Sequence, residues 1–276
     1  MEVLYIMKLQ DLRQKNHISY SQIDTYISCG LQYKFSRIDR LPPEFTPDNL
    51  VFGSTIHRLL AQFYEAKMIG DLMTLSNIHE LFKKLWTEAA KGRDDIRYAD
   101  GKDFETLLTQ GINLLTAWYS NQDDNNNYRV LAIEEAFSFD IADIPVPVIG
   151  AVDLVEEDEA GTIIITDFKT AGRAYGRDEV DSNMQMTTYQ LAAKANGFGG
   201  REILLRFDCL IKTKKPKFES YWTTRSEIDE IKLVKKIHQV WDGISKGVFI
   251  PNDTHWKHNN CPYRTVCDEW FIRRAA

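Results

Sequence analysis

The pattern of apolar residues divides the chain into a helical first half and a second half that is rich in strands. Between residues 19 and 121 apolar side chains recur at the spacing of one helix face. After residue 128 they cluster in short runs that are typical of strands. The Asn- and Asp-rich segment 121–127 lies between the two halves and predicts a solvated connector.

The first half is predicted to fold into several helices. Ser19, followed three residues later by Gln22, forms a capping box at the start of the first helix. Three prolines between residues 42 and 47 interrupt the helical pattern. The helices predicted after this break span residues 54–68, 78–90 and 104–120.

The second half is predicted to combine five strands with two helices. The predicted strands span residues 128–139, 146–155, 162–170, 202–211 and 218–223. The predicted helices span residues 182–196 and 227–246. The chain has no Walker-type glycine-rich loop, so we do not expect a motor activity.

Two acidic residues stand inside the apolar strands of the second half. Asp153 follows Gly150-Ala151-Val152, and Asp167 stands two residues before Lys169. The polar run 156–161 predicts a hairpin turn, which would bring Asp167 within a residue or two of the position opposite Asp153. Because Asp167 and Lys169 are two residues apart, they point to the same face of an extended strand. Two carboxylates and a lysine should therefore meet on one patch of sheet.

These side chains have the chemistry of a metal-dependent phosphodiesterase. Ionised carboxylates in an apolar sheet need compensation, which a divalent cation usually supplies. Asp153, Asp167 and the carbonyl of Phe168 offer hard oxygen ligands for Mg²⁺ or Mn²⁺. Lys169 could steady an attacking water or a developing negative charge. The alternative is a purely structural ion pair between Asp167 and Lys169.

Two more motifs flank the acids. Gly53 and His57 put a histidine on the first turn of the helix predicted from residue 54. Gln185 and Tyr189 are four residues apart, and so share one face of the helix that follows the second acid. In chain order the motifs are GxxxH, GxxD, DxK and QxxxY.

This order of motifs resembles the PD-(D/E)xK nuclease superfamily. It is most similar to the RecB-like exonuclease branch, which includes AddB-type and CRISPR-associated adaptation nucleases, and the resemblance spans Ser19 to Cys267. It implies a restriction-endonuclease-like α/β (α+β) fold, in which helices flank a mixed central sheet. The whole chain, 1–276, would then be one nuclease domain. Its parts would be a helical region (19–121), a catalytic core (128–223) and a C-terminal helix with a Cys/His metal-binding tail (224–276).

The resemblance also implies roles for the motif residues. His57, Asp153 and Asp167 correspond to ligands of the catalytic Mg²⁺ or Mn²⁺, and Lys169 corresponds to the catalytic lysine. Gln185 and Tyr189 would orient DNA and support the site. Glu134 stands on a strand where relatives often carry an acid, and we expect it to be an additional acidic residue beside the site.

The cysteines suggest a second metal site. In a reducing compartment, clustered thiols indicate metal binding before disulfides. Many members of the branch bind an iron–sulfur cluster through one cysteine in the first helix and a C-terminal CxxC-x5-C run. The corresponding set here is Cys29, His258, Cys261 and Cys267, with a histidine in place of one cysteine. We expect a 4Fe-4S cluster; a tetrahedral Zn²⁺ site, or no metal, is the alternative. Cys209 stands in an apolar strand and is expected to be an inert buried thiol.

Charge and terminal sequence bear on partners and location. The net charge of −6 argues against a wide nucleic-acid-binding face but allows a local basic groove, for which 212–217, Arg201 and Arg206 are candidates. The N-terminus lacks the features of a secretory signal, and no apolar run is long enough to span a membrane. We therefore expect a cytoplasmic protein, prokaryotic or phage-encoded, that can associate with the nucleoid and has no membrane partner.

Together these features predict a metal-dependent DNA exonuclease that acts on single strands or DNA ends in recombination, repair or replication. A helicase or recombination protein would be a natural partner. One alternative is a structure- or sequence-specific endonuclease of the same fold, although nothing resembles a base-reading module. The other is a non-catalytic DNA-end-binding subunit of a recombination complex. Such a subunit would have no physical reason to keep buried charges.

Overall fold

The structure is a computed structural model that describes residues 8–122, 128–254 and 256–274. Most of the predicted connector, 123–127, and the N-terminal segment 1–7 lie outside the described residues. The helices are α1 (Leu9–Leu12), α2 (Tyr20–Ser28), α3 (Gly30–Tyr33), α4 (Asp48–Met68), α5 (Leu75–Ala90), α6 (Phe104–Tyr119), α7 (Arg177–Asp181), α8 (Met184–Ala193), α9 (Glu227–Ser245) and α10 (Arg264–Arg274). The strands are β1 (Ile18–Ser19), β2 (Thr46–Pro47), β3 (Ile96–Arg97), β4 (Arg129–Phe139), β5 (Val148–Glu157), β6 (Ile163–Ala171), β7 (Ile203–Ile211) and β8 (Lys217–Thr223).

The predicted helices of the first half are present, with one shift that matters. Ser19 caps α2 by accepting a hydrogen bond from the backbone amide of Gln22, as the capping box predicts. Helix α4 begins at Asp48, not near residue 54, because Pro47 ends the preceding extended segment and the acid at Asp48 suits a helix N-terminus. His57 therefore lies in the third turn of α4, and the predicted first-turn position is wrong.

The central sheet is mixed, as predicted. Strand order is β1-β5-β6-β7-β8, and β4 pairs with β5 as well. The pairs β4/β5, β5/β6 and β7/β8 are antiparallel, whereas β1/β5 and β6/β7 are parallel. One apolar core includes residues of α8 and α9, and the other includes residues of α4, α5 and α6. Helices thus flank the sheet on both faces.

Strands β5 and β6 separate halfway along their length and form a fork. They pair only from Leu154↔Thr166 to Glu157↔Ile163. The first residues of β5 pair instead with the two-residue strand β1, at Ile18↔Val148. Asp153 and Asp167 are the next residues beyond the Leu154↔Thr166 pair, at the end where the strands separate. Both acids therefore lie at the fork.

The hairpin between β5 and β6 differs from its prediction. Strand β5 continues through Glu157, and the turn is confined to the residues that follow; Gly161 there has a φ of +84°. Glu156 is buried, and its carboxylate lies 2.8 Å from the guanidinium of buried Arg206. Arg206 is therefore not part of a basic groove, because its charge compensates an internal acid.

The C-terminal tail packs against the first helices. Cys267 and Tyr263 join Leu31 and Phe35 in a third apolar cluster, and Cys29 and Cys261 pack at its edge. The backbone amide of Asn252 also donates a hydrogen bond to Cys29 Sγ (3.4 Å). None of the helices in the described parts of the chain combines the length and apolar character that a membrane span requires.

Candidate active site

Asp153 reaches across the fork towards β6 and α4. Its Oδ2 accepts a hydrogen bond from the backbone amide of Phe168 (2.8 Å) and lies 3.3 Å from Nδ1 of His57. The ring of Phe168 is buried, stacks on Tyr64 and meets the His57 ring edge to face. Helix α4 is therefore held against β6, and His57 is held beside the first acid.

Asp167 turns towards α8 and is only 1% exposed. Its Oδ1 accepts hydrogen bonds from Gln185 Nε2 (2.7 Å) and from the Tyr189 hydroxyl (3.1 Å). Its Oδ2 lies 2.6 Å from Lys169 Nζ. Lys169 also donates to Gln185 Oε1 at 2.9 Å. Acid, lysine, amide and phenol thus form one connected group.

The start of α8 explains why Gln185 and Tyr189 face the second acid. The Asn183 side chain caps this helix by accepting from the amides of Gln185 (2.9 Å) and Met186 (3.3 Å). The cap fixes where the helix begins, and residues four apart then point to the same side. Gln185 and Tyr189 are themselves in contact, at 2.7 Å between Nε2 and the hydroxyl oxygen.

The electrostatics of the group follow from its burial. Burial raises the pKa of Asp167; the Lys169 ammonium opposes this effect, and the nearby Asp153 carboxylate adds to it. Burial acts to lower the pKa of His57, but its hydrogen bond to Asp153 and the charge of that acid outweigh burial, so the pKa of His57 is raised. The pKa of Asp167 is thus raised chiefly by burial, whereas the pKa of His57 is raised by the carboxylates near it.

The donor atoms suit a hard divalent cation. Asp167 Oδ2 is buried and close to Lys169, but the contact lacks hydrogen-bond geometry, and no donor in the described residues satisfies this oxygen. Two carboxylates and an imidazole meet at the fork, which is a ligand chemistry that Mg²⁺ or Mn²⁺ accepts. Across residues 8–122, 128–254 and 256–274, however, no three His, Cys, Asp or Glu side chains are arranged to hold a metal ion. Cation binding would therefore require Asp153 and Asp167 to exchange some of their present contacts.

Two residues near the acids would not be found from the four motifs. Tyr20, the first residue of α2, lies close enough to Asp167 for that charge to add to the effect of burial, which raises the pKa of the phenol. Glu134 occupies the β4 position that faces Asp153, between the pairs Ile133↔Leu154 and Glu135↔Val152. Its φ of +46° is unusual for a non-glycine residue in a strand. Glu134 is the additional acidic residue that the family resemblance predicts beside the site, whereas no sequence signal indicates Tyr20.

Packing does not require a glycine at position 53, the glycine of the first motif. A Cβ at Gly53 would meet Thr170 Oγ1 at 3.6 Å, an ordinary contact distance. Gly150 in the second motif is different, because a Cβ there would lie 2.5 Å from the ring of Phe137. A side chain at position 150 would therefore require the Phe137 ring to shift.

The sulfur residues come together only in part. Cys29, Cys261 and Cys267 share the third apolar cluster, and burial together with the other two thiols raises the pKa of Cys267 to about 11. The backbone carbonyl of His258 accepts a hydrogen bond from the backbone amide of Cys261 (3.1 Å). The described residues contain no set of ligands ready to hold a cluster or zinc. Cys209 is fully buried in β7, apart from this group.

Residues 17–268 match the PD-(D/E)XK nuclease superfamily, and the chain belongs to it. The membership of the superfamily that the four motifs predict is thereby confirmed. Nucleases of this superfamily typically use Mg²⁺ or Mn²⁺, and DNA is the substrate that the family implies.

One solved structure supports the fold. A candidate exonuclease from Eubacterium rectale superposes with a TM-score of 0.56 at 11% identity, over 94% of this chain and 92% of that one. The match to a second structure, SSO0001, covers 90% of this chain and 94% of that one at 12% identity, with a TM-score of 0.37. No curated protein matches the sequence.

Proposed function

We propose that the protein is a metal-dependent DNA exonuclease that acts on single strands or DNA ends in recombination, repair or replication. The observation that carries this proposal is the buried carboxylate of Asp167, which contacts Lys169 and stands at the fork with Asp153. The nuclease superfamily match and the candidate exonuclease among the related folds support the same reading.

The proposed metal ligands are His57, Asp153, Asp167 and the carbonyl of Phe168. Bound there, Mg²⁺ or Mn²⁺ would polarise the scissile phosphate and offset its growing negative charge. Buried carboxylates fit this role because a cation relieves their mutual repulsion. His57 already contacts Asp153, and so stands beside the proposed ligand set.

Lys169 is the proposed catalytic lysine. Its ammonium group can hydrogen-bond the attacking water or the developing negative charge on the phosphate. Its contacts with Asp167 and Gln185 support this role, because they restrict a long flexible side chain to one position. Gln185 and Tyr189 are proposed to fix the carboxylate of Asp167 and to help orient DNA.

The cysteine group is proposed to hold a 4Fe-4S cluster, or zinc as the alternative, through Cys29, His258, Cys261 and Cys267. Such a site would connect the N-terminal helices to the tail and stabilise the fold. Anaerobically purified protein should then show a broad visible absorbance and contain iron. A colourless protein with stoichiometric zinc would favour the alternative, and a metal-free protein would reject both.

Digestion of labelled DNA tests the proposed activity. Single- and double-stranded DNA labelled at either end, and closed circular single-stranded DNA, would be incubated with Mg²⁺, Mn²⁺ or EDTA. We expect metal-dependent degradation of linear DNA, an intact circle, and no degradation by folded Asp167→Ala or Lys169→Ala. The exposed variants Asp140→Ala and Lys91→Ala are matched controls that should retain activity.

Each other outcome has a defined meaning. Cleavage of the circle would show an endonuclease. An absence of metal-dependent cleavage of any substrate would favour a non-catalytic DNA-binding subunit. Unchanged digestion by both active-site variants would show that the site is misassigned.

A further inference from the structure

A cleft of about 550 Å³ lies directly beside the candidate active site. Gln185 and Tyr189, which hold Asp167, form part of its wall. Tyr20 also lines the cleft, and its phenol is close enough to Asp167 to respond to that charge. The cleft is therefore separated from the buried carboxylate by no more than a single layer of side chains.

The cleft is cationic, although the chain as a whole is acidic. Arg13, His17 and Arg37 line it, and its described lining residues include no aspartate or glutamate. The charge of this lining is therefore opposite in sign to that of the whole chain, which carries a net charge of −6. Neither arginine forms an ion pair with a carboxylate of the described residues, and both side chains are exposed. They are available to an anionic ligand.

The start of α2 adds hydrogen-bonding groups to the same wall. Ser19 and Ser21 line the cleft, and their hydroxyl oxygens lie 3.0 Å apart. Because the N-terminus of a helix carries a partial positive charge, it favours a bound anion beside these hydroxyls. Arginines, hydroxyls and a helix N-terminus together form a typical environment for a phosphate group.

Part of the lining of the cleft is apolar. Phe137 of β4 and Ile149, Gly150 and Ala151 of β5 line it. A Cβ at position 150 would lie 2.5 Å from the Phe137 ring, so glycine allows these strands to pack closely there. The lining of the cleft therefore combines two arginines with apolar residues, a chemistry that suits the phosphate and the base of one nucleotide.

We propose that this cleft binds the terminal nucleotide of the DNA strand, with its phosphate against Arg13 and Arg37 and its base against the apolar lining residues of β4 and β5. This inference rests on the proposed nuclease function and deepens it, because it identifies the substrate as a strand end that bears a phosphate. Cleavage close to an end would follow.

Binding of a mononucleotide tests the cleft without requiring catalysis. Calorimetry in EDTA would compare deoxyadenosine 5′-monophosphate, deoxyadenosine and inorganic phosphate. We expect the monophosphate to bind best to the wild type, and at least tenfold more weakly to Arg13→Ala/Arg37→Ala. Lys91→Ala/Arg264→Ala removes the same charge from exposed positions outside the cleft and should bind like the wild type. Equal binding of the monophosphate by both double variants would overturn the proposal, and inorganic phosphate that binds as tightly as the monophosphate would overturn recognition of a nucleotide.

Cleavage of defined ends tests the consequence for substrate choice. The same oligonucleotide would carry a phosphate or a hydroxyl at its 5′ end, and separately at its 3′ end. We expect the wild type to degrade one phosphorylated end at least tenfold faster than its hydroxyl counterpart, and the double arginine variant to lose that preference. A preference that survives in the variant would contradict the proposal. A wild type that cleaves no DNA would instead reject the nuclease function, and the calorimetry would still decide whether the cleft binds a nucleotide.

Discussion

Gln185 Nε2 donates a 2.7 Å hydrogen bond to Asp167 Oδ1, so an amide on α8 fixes the orientation of a buried carboxylate on β6. The other end of the same amide accepts from Lys169. One side chain thus holds the acid and the lysine of the DxK motif in a single arrangement. The glutamine of the QxxxY motif therefore contacts both charged residues of the DxK motif.

Replacement of Gln185 by alanine should impair catalysis without unfolding the protein. The variant removes the donor to Asp167 and the acceptor for Lys169, so both side chains gain freedom. Loss of such a supporting group typically lowers activity or metal affinity by about 10- to 100-fold. Single-turnover cleavage rates would measure the effect, and Gln239→Ala, an exposed amide on α9, is the control. A Gln185→Ala rate within twofold of the wild type would show that the amide has no part in the site.

Replacement of Gly30 by alanine should destabilise the contact between the N-terminal helices and the tail. A Cβ there would lie 2.7 Å from the backbone nitrogen of Ile250, and a backbone atom cannot move aside as a side chain can. We expect the free energy of unfolding to fall by about 1–3 kcal/mol. Urea denaturation would measure it, with Gly200→Ala as the control, since a Cβ there meets no atom within 4 Å. An equal stability of both variants would contradict the close approach.

Replacement of Glu156 by glutamine should change how stability depends on pH. Burial raises the pKa of Glu156, and Arg206 opposes this effect. The folded state therefore keeps the Glu156 proton to a higher pH than the unfolded chain, in which the pKa of a glutamate is 4.5. The stability that this proton contributes is lost as the pH rises from 4.5 through the pKa of the folded state. The quantity to measure is the free energy of unfolding of the wild type minus that of Glu156→Gln. We expect this difference to fall by about 1 kcal/mol or more between about pH 5 and about pH 8. Denaturation at both pH values would measure it, with the exposed Glu159→Gln as control; a difference that stays constant or rises would contradict the raised pKa.

Removal of a cysteine from the third apolar cluster should lower the stability of the fold more than the catalytic activity. Cys267 is buried against the N-terminal helices, far along the chain from Cys29. If the group holds a metal, we expect Cys29→Ala and Cys267→Ala to lower the midpoint of thermal unfolding by about 4 °C or more, with little change in activity per folded molecule. Cys209→Ala should keep any metal, because that thiol lies in β7. Loss of activity at an unchanged midpoint would assign the cysteines to catalysis instead.

The sequence predicts those parts of the fold that depend on local pattern. The facing positions of Asp153 and Asp167 follow from two apolar strands and one turn, because side chains alternate along a strand. Strand β1 has only two residues, too few for any pattern, yet it pairs with the part of β5 that has separated from β6 at the fork. The burial of Glu156 could not be predicted, since its partner Arg206 lies 50 residues away along the chain. The cleft could not be predicted either, because its cationic residues come from separate segments.

The claim that the fork holds a divalent cation is tested most directly by calorimetric titration with Mn²⁺. The wild type should bind Mn²⁺, and the folded double variant Asp153→Ala/Asp167→Ala should lose that binding, while Asp140→Ala retains it. A wild type that binds no Mn²⁺, or a double variant that binds it like the wild type, would contradict the assignment of these two acids as metal ligands.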